Sequence, residues 1–267
     1  MTLRPDPPHM EWALVGIALD YRIRYYFAVT PPEELIAAQG AMLLAGQITS
    51  DPVDLNADWE SARRTWDEFA GCLHPAPMGV DPVGHRLPEA DERALCRACY
   101  ALACYETLFR AVARPDWPIV TVGQRGTVDD LLALGSDAVT TDLTRLSRAF
   151  HDTQGDLLGQ PATLNPMFGD VSGKLGGADA DLIVGDRLID IKTSVNPAPG
   201  PTDPYQLLGY ALADTDDRYG IRGVGFYYSR RPTLVQWSLQ EYCDSLAGKP
   251  TDIEATRRDF HALVGGL

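Results

Sequence analysis

Apolar and polar positions follow two different patterns along the chain, and the change comes near residue 169. Before it, apolar residues recur with helical spacing, which predicts helices over residues 11–27, 32–46, 56–70, 89–113, 128–134 and 137–151. After it, short alternating runs predict strands over residues 178–184, 187–194, 223–229 and 233–239, with helices over residues 205–213 and 252–264. The expected fold class is therefore α/β, with a small mixed sheet flanked by helices.

The first two predicted strands are joined by Gly185-Asp186, a pair typical of a tight β-hairpin turn. Such a turn sets the register, because a slip by one residue would move every side chain to the opposite face. If Val184 and Arg187 flank the turn as a pair, Asp181 lies opposite Asp190 and Asp179 lies opposite Lys192.

Side chains alternate along a strand, so these three aspartates and the lysine project from one face of the hairpin. The other face is apolar and is expected to be buried. It carries Ala180, Leu182, Val184, Ile189 and Ile191.

Two carboxylates that face each other across a hairpin have Cβ atoms about 5 Å apart, and like charges so placed are destabilising. A divalent cation removes the repulsion, and carboxylate oxygens suit Mg²⁺ or Mn²⁺. Lys192 adds a cation that can orient or deprotonate a water molecule, or stabilise charge in a transition state. The structural alternative, a surface hairpin in which Asp179 pairs with Lys192, leaves Asp181 opposite Asp190 unexplained.

The pattern Asp181-x₈-Asp190-Ile191-Lys192 resembles the D…(D/E)XK signature of the PD-(D/E)XK nuclease superfamily, which stands on two consecutive antiparallel strands. The predicted helix that follows carries Gln206-Leu-Leu-Gly-Tyr210, which is similar to the QxxxY motif of the RecB-like branch. Residues four apart share a helix face, and in that branch this face looks onto the active site. Taken alone, Gln206 and Tyr210 also fit an ordinary amphipathic helix.

The first predicted helix carries Gly16-Ile-Ala-Leu-Asp20, which is similar to the Gly-x-x-x-His motif of RecB-like nucleases except that aspartate replaces the metal-binding histidine. Asp20 is a candidate ligand of the same metal, and helix capping or an ion pair with Arg24 is the alternative. Some relatives use a glutamate from a helix before the hairpin, for which Glu106 is a candidate. An exposed Glu106 paired with Arg110 is the favoured interpretation.

The resemblance implies a metal-dependent nuclease that hydrolyses nucleic-acid phosphodiester bonds, with DNA as the expected substrate, in repair or defence. It implies a restriction-endonuclease-like core from residues 1–30 and 166–267, with residues 31–165 as a helical insertion. The expected cofactor is Mg²⁺ or Mn²⁺. The expected metal ligands are Asp181, Asp190, Asp20, Asp179 and Ile191, and the expected catalytic residues are Asp181, Asp190, Lys192, Gln206 and Tyr210. The alternative is a catalytically silent nuclease-fold subunit that acts in assembly or regulation.

The net charge of −14 argues against a free-standing, high-affinity DNA binder, because phosphate neutralisation needs clustered lysine and arginine. It does not exclude a nuclease, because basic residues can cluster locally or a partner protein can bind the DNA. Three arginine pairs are candidates, although solvated surface charge is the favoured interpretation of each. They are Arg63-Arg64, Arg230-Arg231 and Arg257-Arg258.

Two further features bound the class of protein. Cys96, Cys99 and Cys104 lie in a predicted helix, where they spread around the axis, so buried thiols are favoured over ligands of zinc or an iron–sulfur cluster. The apolar run over residues 13–19 is too short for a membrane span and is followed by no cleavage site. A cytoplasmic protein with no membrane partner is expected.

Overall fold

The computed structural model describes residues 2–6, 8, 11–46, 58–111, 114–174, 180–196 and 199–265. The chain divides into a helical unit, Leu3–Asp152, and a sheet unit, Thr153–Leu267, with which the first two residues are grouped. The sequence-based boundaries after residues 30 and 165, which assign the first helix to a nuclease core, stay a prediction. In the structure that helix packs within the helical unit.

The helical unit contains seven α-helices among the described residues. They are α1 (Trp12–Arg24), α2 (Ile36–Leu44), α3 (Trp59–Gly71), α4 (Glu89–Arg110), α5 (Pro118–Arg125), α6 (Val128–Ala133) and α7 (Asp137–Thr153). Helices α1 and α2 both pack along α4, the longest of them. The sequence pattern predicted all but α5, a short helix that begins at a proline and is followed by Gly126, so that its sequence resembles a loop.

Helix α4 is buried along most of its length. Cys96, Cys99 and Cys104 are buried within it, as expected for thiols of a helix interior. In the described part of the chain, no helix combines the length and the apolar character that crossing a membrane needs.

A fully buried ion pair joins α1 to α4. Nε and Nη2 of Arg22 each donate a hydrogen bond of 2.8 Å to the carboxylate of Glu92, which also accepts one of 2.6 Å from Ser147 Oγ. Burial acts to raise the pKa of Glu92, but the hydrogen bonds and charge of Arg22 outweigh it and hold that pKa below its usual value. Removing one partner would leave an uncompensated buried charge, so loss of either side chain should strongly destabilise the contact between α1 and α4.

The sheet unit contains five strands and four helices among the described residues. The strands are β1 (Ala162–Leu164), β2 (Leu182–Val184), β3 (Arg187–Lys192), β4 (Gly223–Tyr228) and β5 (Thr233–Ser238). The helices are α8 (Asp170–Lys174), α9 (Asp203–Ala213), α10 (Leu239–Ala247) and α11 (Ile253–Gly265).

The strands form one open sheet in the order β1-β2-β3-β4-β5. Neighbouring strands are antiparallel except β3 and β4, which are parallel and are joined through α9. Parallel neighbours need such a crossover, because a tight turn can only join antiparallel strands. The predicted α/β class with a small mixed sheet is confirmed.

The hairpin register predicted from the turn is also confirmed. Val184 pairs with Arg187, and the ladder ends at the pair Leu182↔Ile189. Gly185 in the turn has a φ of 60°, a conformation that glycine adopts without steric cost.

Both faces of the hairpin are buried near the turn. Leu182 and Ile189 are buried on one face, and Ile183 and Leu188 on the other, where they pack in a cluster with Leu207 of α9. Asp181, Asp190 and Lys192 stand beyond this buried region, at the open end of the hairpin. Ile191, which was predicted to be buried, is half-buried, because it lies beyond the last β2–β3 pair.

Three elements of the sheet unit were missed by the sequence pattern. Strand β1 has three residues and helix α8 has five, too few for a repeat to show. Helix α10 begins directly after β5, and Ser238 and Glu241 form a capping box at its start. That Ser-x-x-Glu spacing is a recognisable helix start, so α10 could have been predicted.

Candidate active site

Asp181 lies immediately before β2, and its side chain bridges to the end of β3. Its Oδ2 accepts a hydrogen bond of 2.7 Å from the backbone N–H of Ile191. The carboxylate is thereby held where the β2–β3 ladder has ended. The N–H and C=O of one strand residue point to the same side, so the carbonyl of Ile191 also faces the side of Asp181. This carbonyl is the atom through which Ile191 can act as a metal ligand.

Asp190 stands beside Asp181, as the register predicted, with its side chain only 15% exposed. The pKa of Asp190 is raised to about 7, and burial is the main cause. The charge of Asp181 and a hydrogen bond between the two side chains also raise this pKa, whereas Lys192 lowers it. Two carboxyl groups this close favour sharing one proton or one cation.

Lys192 supplies positive charge to this acidic cluster. Its Nζ lies 2.7 Å from Oδ2 of Asp190 and 3.4 Å from Oδ1 of Asp203. Burial acts to lower the pKa of Lys192, but Asp190 and then Asp203 outweigh it, so the net pKa is raised and the ammonium form is favoured. Asp179, the partner predicted to lie opposite Lys192, is outside the described residues.

Asp203 is a member of the cluster that the sequence pattern did not predict. It is the first residue of α9, and its Oδ2 accepts a hydrogen bond of 2.7 Å from the backbone N–H of Gly200. A carboxylate at a helix start is common, and it is stabilised there by the helix dipole. The position alone therefore does not distinguish Asp203, and its contact with Lys192 depends on the path of the loop between β3 and α9.

Gln206 and Tyr210 share a face of α9, as their spacing predicted. Nε2 of Gln206 donates a hydrogen bond of 2.8 Å to the hydroxyl of Tyr210, whose ring stacks on Phe168 at 6.3 Å between centroids. Asp203 is three residues before Gln206 and lies on the same face. The face of α9 that carries the predicted motif therefore also carries the residue that contacts Lys192. The catalytic roles of Gln206 and Tyr210 stay predictions.

The two candidate ligands from helices that precede the hairpin, Asp20 in α1 and Glu106 in α4, lie in the helical unit. Asp20 pairs with Arg24, and burial raises the pKa of Asp20 to about 6 against the charge of Arg24. Glu106 was expected to be exposed, but it is buried, and there its carboxylate accepts hydrogen bonds from Arg110 Nε (2.6 Å) and Tyr21 Oη (2.5 Å). The expected ion pairs are present, and the roles of Asp20 and Glu106 as metal ligands stay predictions.

The oxygen atoms of the cluster suit a hard divalent cation. Asp181 and Asp190 offer carboxylates and Ile191 offers a carbonyl, and Mg²⁺ takes oxygen ligands and usually keeps several waters. Among the described residues, no three His, Cys, Asp or Glu side chains converge as a metal-binding group. The described end of the hairpin offers two carboxylates and one carbonyl as candidate ligands, and the roles of Asp20 and Asp179 as metal ligands stay predictions.

Comparisons of the chain with protein-family models, with curated proteins and with solved structures give no significant match. A functional conclusion therefore depends on the residues of the site themselves.

Proposed function

We propose that this chain is a Mg²⁺- or Mn²⁺-dependent nuclease that hydrolyses phosphodiester bonds in nucleic acid, with DNA as the expected substrate. The observation that carries the proposal is the cluster at the open end of the hairpin. There the carboxyl groups of Asp181 and Asp190 are close enough to hydrogen bond, and the ammonium of Lys192 lies on Asp190.

The topology of the sheet unit supports a restriction-endonuclease-like core of the PD-(D/E)XK superfamily, RecB-like branch. The two acidic positions stand on consecutive antiparallel strands, β2 and β3, or directly beside them. Helix α9 follows and carries Gln206 and Tyr210 on the face that reaches Lys192 through Asp203. Three sequence features of the resemblance thus meet in one region.

In this mechanism Asp181, Asp190 and the carbonyl of Ile191 would hold the metal ion. A bound divalent metal supplies Lewis-acid polarisation of the phosphate and lowers the pKa of an attacking water. The hydrogen bond from the backbone N–H of Ile191 keeps the Asp181 carboxylate in one orientation, so the ligand set is organised in advance.

Lys192 acts in its charged form. Asp190 and then Asp203 raise its net pKa against the effect of burial, so the ammonium form is favoured and can donate hydrogen bonds. Aimed at a phosphate oxygen on which negative charge develops, such a donor stabilises the transition state more than the ground state. Asp203 gives the ammonium a second partner and positions it, and the exposed amide of Gln206 is available to contact the substrate.

The test is metal-dependent cleavage of linear, circular, single-stranded and double-stranded DNA, and of RNA, with EDTA as the blank. Asp190→Asn should abolish cleavage. Asp186→Asn is the matched control, because it makes the same change at the exposed turn of the same hairpin. A folded protein that binds Mn²⁺ and cleaves none of these substrates would refute the proposal and favour a regulatory subunit with a nuclease-like fold.

A further inference from the structure

A cavity of about 510 Å³ lies in the sheet unit, away from the acidic cluster. Arg222, which lines it, directly precedes β4, whose first residue Gly223 pairs with Arg187 at the start of β3. Asp190 and Lys192 stand three and five residues further along β3, roughly 10 and 16 Å away in the strand direction at about 3.3 Å per residue. The cavity is therefore separate from the proposed catalytic site.

The lining of this cavity is rich in cationic side chains. Arg222, Arg257 and Arg258 face it together with His261, against the carboxylates of Asp217 and Glu254. The chain as a whole carries a net charge of −14, so a local excess of guanidinium groups is an exception to its surface. One of the predicted arginine pairs, Arg257-Arg258, thus contributes to a defined concavity.

Asp217 holds two of the arginines in place. It accepts hydrogen bonds of 2.6 and 2.5 Å from Nη1 and Nη2 of Arg222, and it lies 3.7 Å from Nη1 of Arg257. Nη2 of Arg257 also donates to the carbonyl of Ile221 at 3.3 Å. A guanidinium has five N–H donors, so groups fixed in this way keep donors for a second anion.

Two observations indicate unused binding capacity. Nε of Arg257 and Nε2 of His261 are buried and have no hydrogen-bond partner among the described residues. Unpartnered buried polar atoms are uncommon in folded proteins. Arg258 is exposed, and within the described parts of the chain it forms no ion pair. The arginine-rich side of the cavity therefore has N–H groups that form no hydrogen bond within the described residues.

We infer that this cavity binds a phosphate-bearing anion the size of a nucleoside phosphate. Guanidinium groups recognise phosphate through paired, charge-assisted hydrogen bonds. The volume is that of a small-molecule site and not of a groove for a duplex. Ile221, Leu239 and Ile253 add an apolar part to the lining, which suits the face of a base. The inference is independent of the proposed nuclease activity.

The experiment measures ligand binding to the full chain at low ionic strength with EDTA present, so that no metal-mediated phosphate binding occurs at the acidic cluster. Isothermal titration and melting temperature are followed with adenosine, inorganic phosphate, AMP and ATP. We expect the phosphate compounds to bind and to raise the melting temperature, whereas adenosine does neither. Equal binding of inorganic phosphate and AMP identifies free phosphate as the ligand, and tighter binding of AMP identifies nucleoside phosphates. Either result supports the site.

Variants locate the binding. Arg258→Ala should weaken phosphate binding about tenfold or more, as for the loss of a charge-assisted hydrogen bond, and His261→Ala should weaken it as well. The melting temperature of the free protein should be nearly unchanged in both variants. Arg64→Ala is the matched control, because Arg64 is an exposed arginine of the helical unit. Lys192→Ala should bind like the wild type. No binding in the wild type, equal binding in all variants, or a loss caused by Lys192→Ala instead would overturn the inference.

Discussion

The ammonium nitrogen of Lys192 lies 2.7 Å from Oδ2 of Asp190, and the same carboxyl group is hydrogen-bonded to Asp181. A divalent cation bound at this site would therefore compete with the lysine for one carboxylate. Asp203, whose Oδ1 lies 3.4 Å from the same nitrogen, gives Lys192 a second partner if a metal ion takes Asp190. This relationship ties the roles of the four residues together, and each can be tested separately.

Lys192→Ala should reduce cleavage by a factor of order 10² or more, the usual result of removing a group that stabilises a transition state. The loss of folding stability should be about 1 kcal/mol or somewhat more, because Lys192 and Asp190 form a partly buried pair with side chains 21% and 15% exposed. Cleavage rates and melting temperatures measure the two effects. Lys249→Ala, at an exposed lysine of the same unit, is the control. Full activity in Lys192→Ala would refute the mechanism.

Mn²⁺ or Mg²⁺ should raise the melting temperature of the wild type, because metal binds the folded site and not the unfolded chain. Asp190→Asn should weaken this shift, since the amide is a poorer ligand. In metal-free protein the same change should be neutral or stabilising, because it removes the repulsion with Asp181. Melting temperatures of the wild type and Asp190→Asn, measured with EDTA and with Mn²⁺, test this prediction. Asp186→Asn is the control. Identical responses of wild type and Asp190→Asn would place the metal elsewhere.

The pKa of Asp190, raised to about 7 by burial and then by Asp181, predicts a pH dependence of stability in metal-free protein. An unfolded aspartate has a pKa of about 4, so the folded state binds the extra proton between these values. The stabilisation is complete below about pH 4 and is lost as pH rises through about 7. Urea unfolding with EDTA at several pH values should show a steeper decline in wild type than in Asp190→Asn. Parallel curves would mean that the pKa of Asp190 is not raised.

Asp203→Asn should separate the role of Asp203 in positioning Lys192 from its role in the folding of α9. The amide oxygen can still accept the hydrogen bond from Gly200, so the start of α9 should be kept, while the charge beside Lys192 is lost. We expect a loss of cleavage of order tenfold, smaller than for Lys192→Ala, because one charge partner remains. Asp216→Asn is the control, because it makes the same change at an exposed aspartate just after α9. A defect as large as that of Lys192→Ala would assign Asp203 a direct role.

Asp20→Asn tests the one ligand expected from the helical unit. If Asp20 binds metal, the Mn²⁺-induced rise in melting temperature and the cleavage rate should both fall. Its ion pair with Arg24 predicts only a loss of stability, of about 1 kcal/mol or somewhat more for a partly buried pair. Arg24→Ala is the control, since it breaks the same ion pair and leaves the carboxylate. Equal metal responses of Asp20→Asn and wild type would restrict Asp20 to the ion pair.

The sequence by itself determined the features that depend on neighbours along the chain. The Gly185-Asp186 turn and the alternation on both sides of it gave the hairpin register and placed Asp181 beside Asp190. The four-residue spacing placed Gln206 against Tyr210. These relationships follow from the repeat of a strand or a helix, which is a local property of the backbone.

The tertiary structure decided the relationships between segments that are distant in sequence. Asp203 reaches Lys192 only because the chain after β3 returns as α9, and Arg22 meets Glu92 only because α1 packs along α4. The raised pKa of Asp190 likewise depends first on burial. Periodicity indicates which face of an element is buried but not which element covers it, because that choice is made by loop paths and side-chain packing across the whole unit.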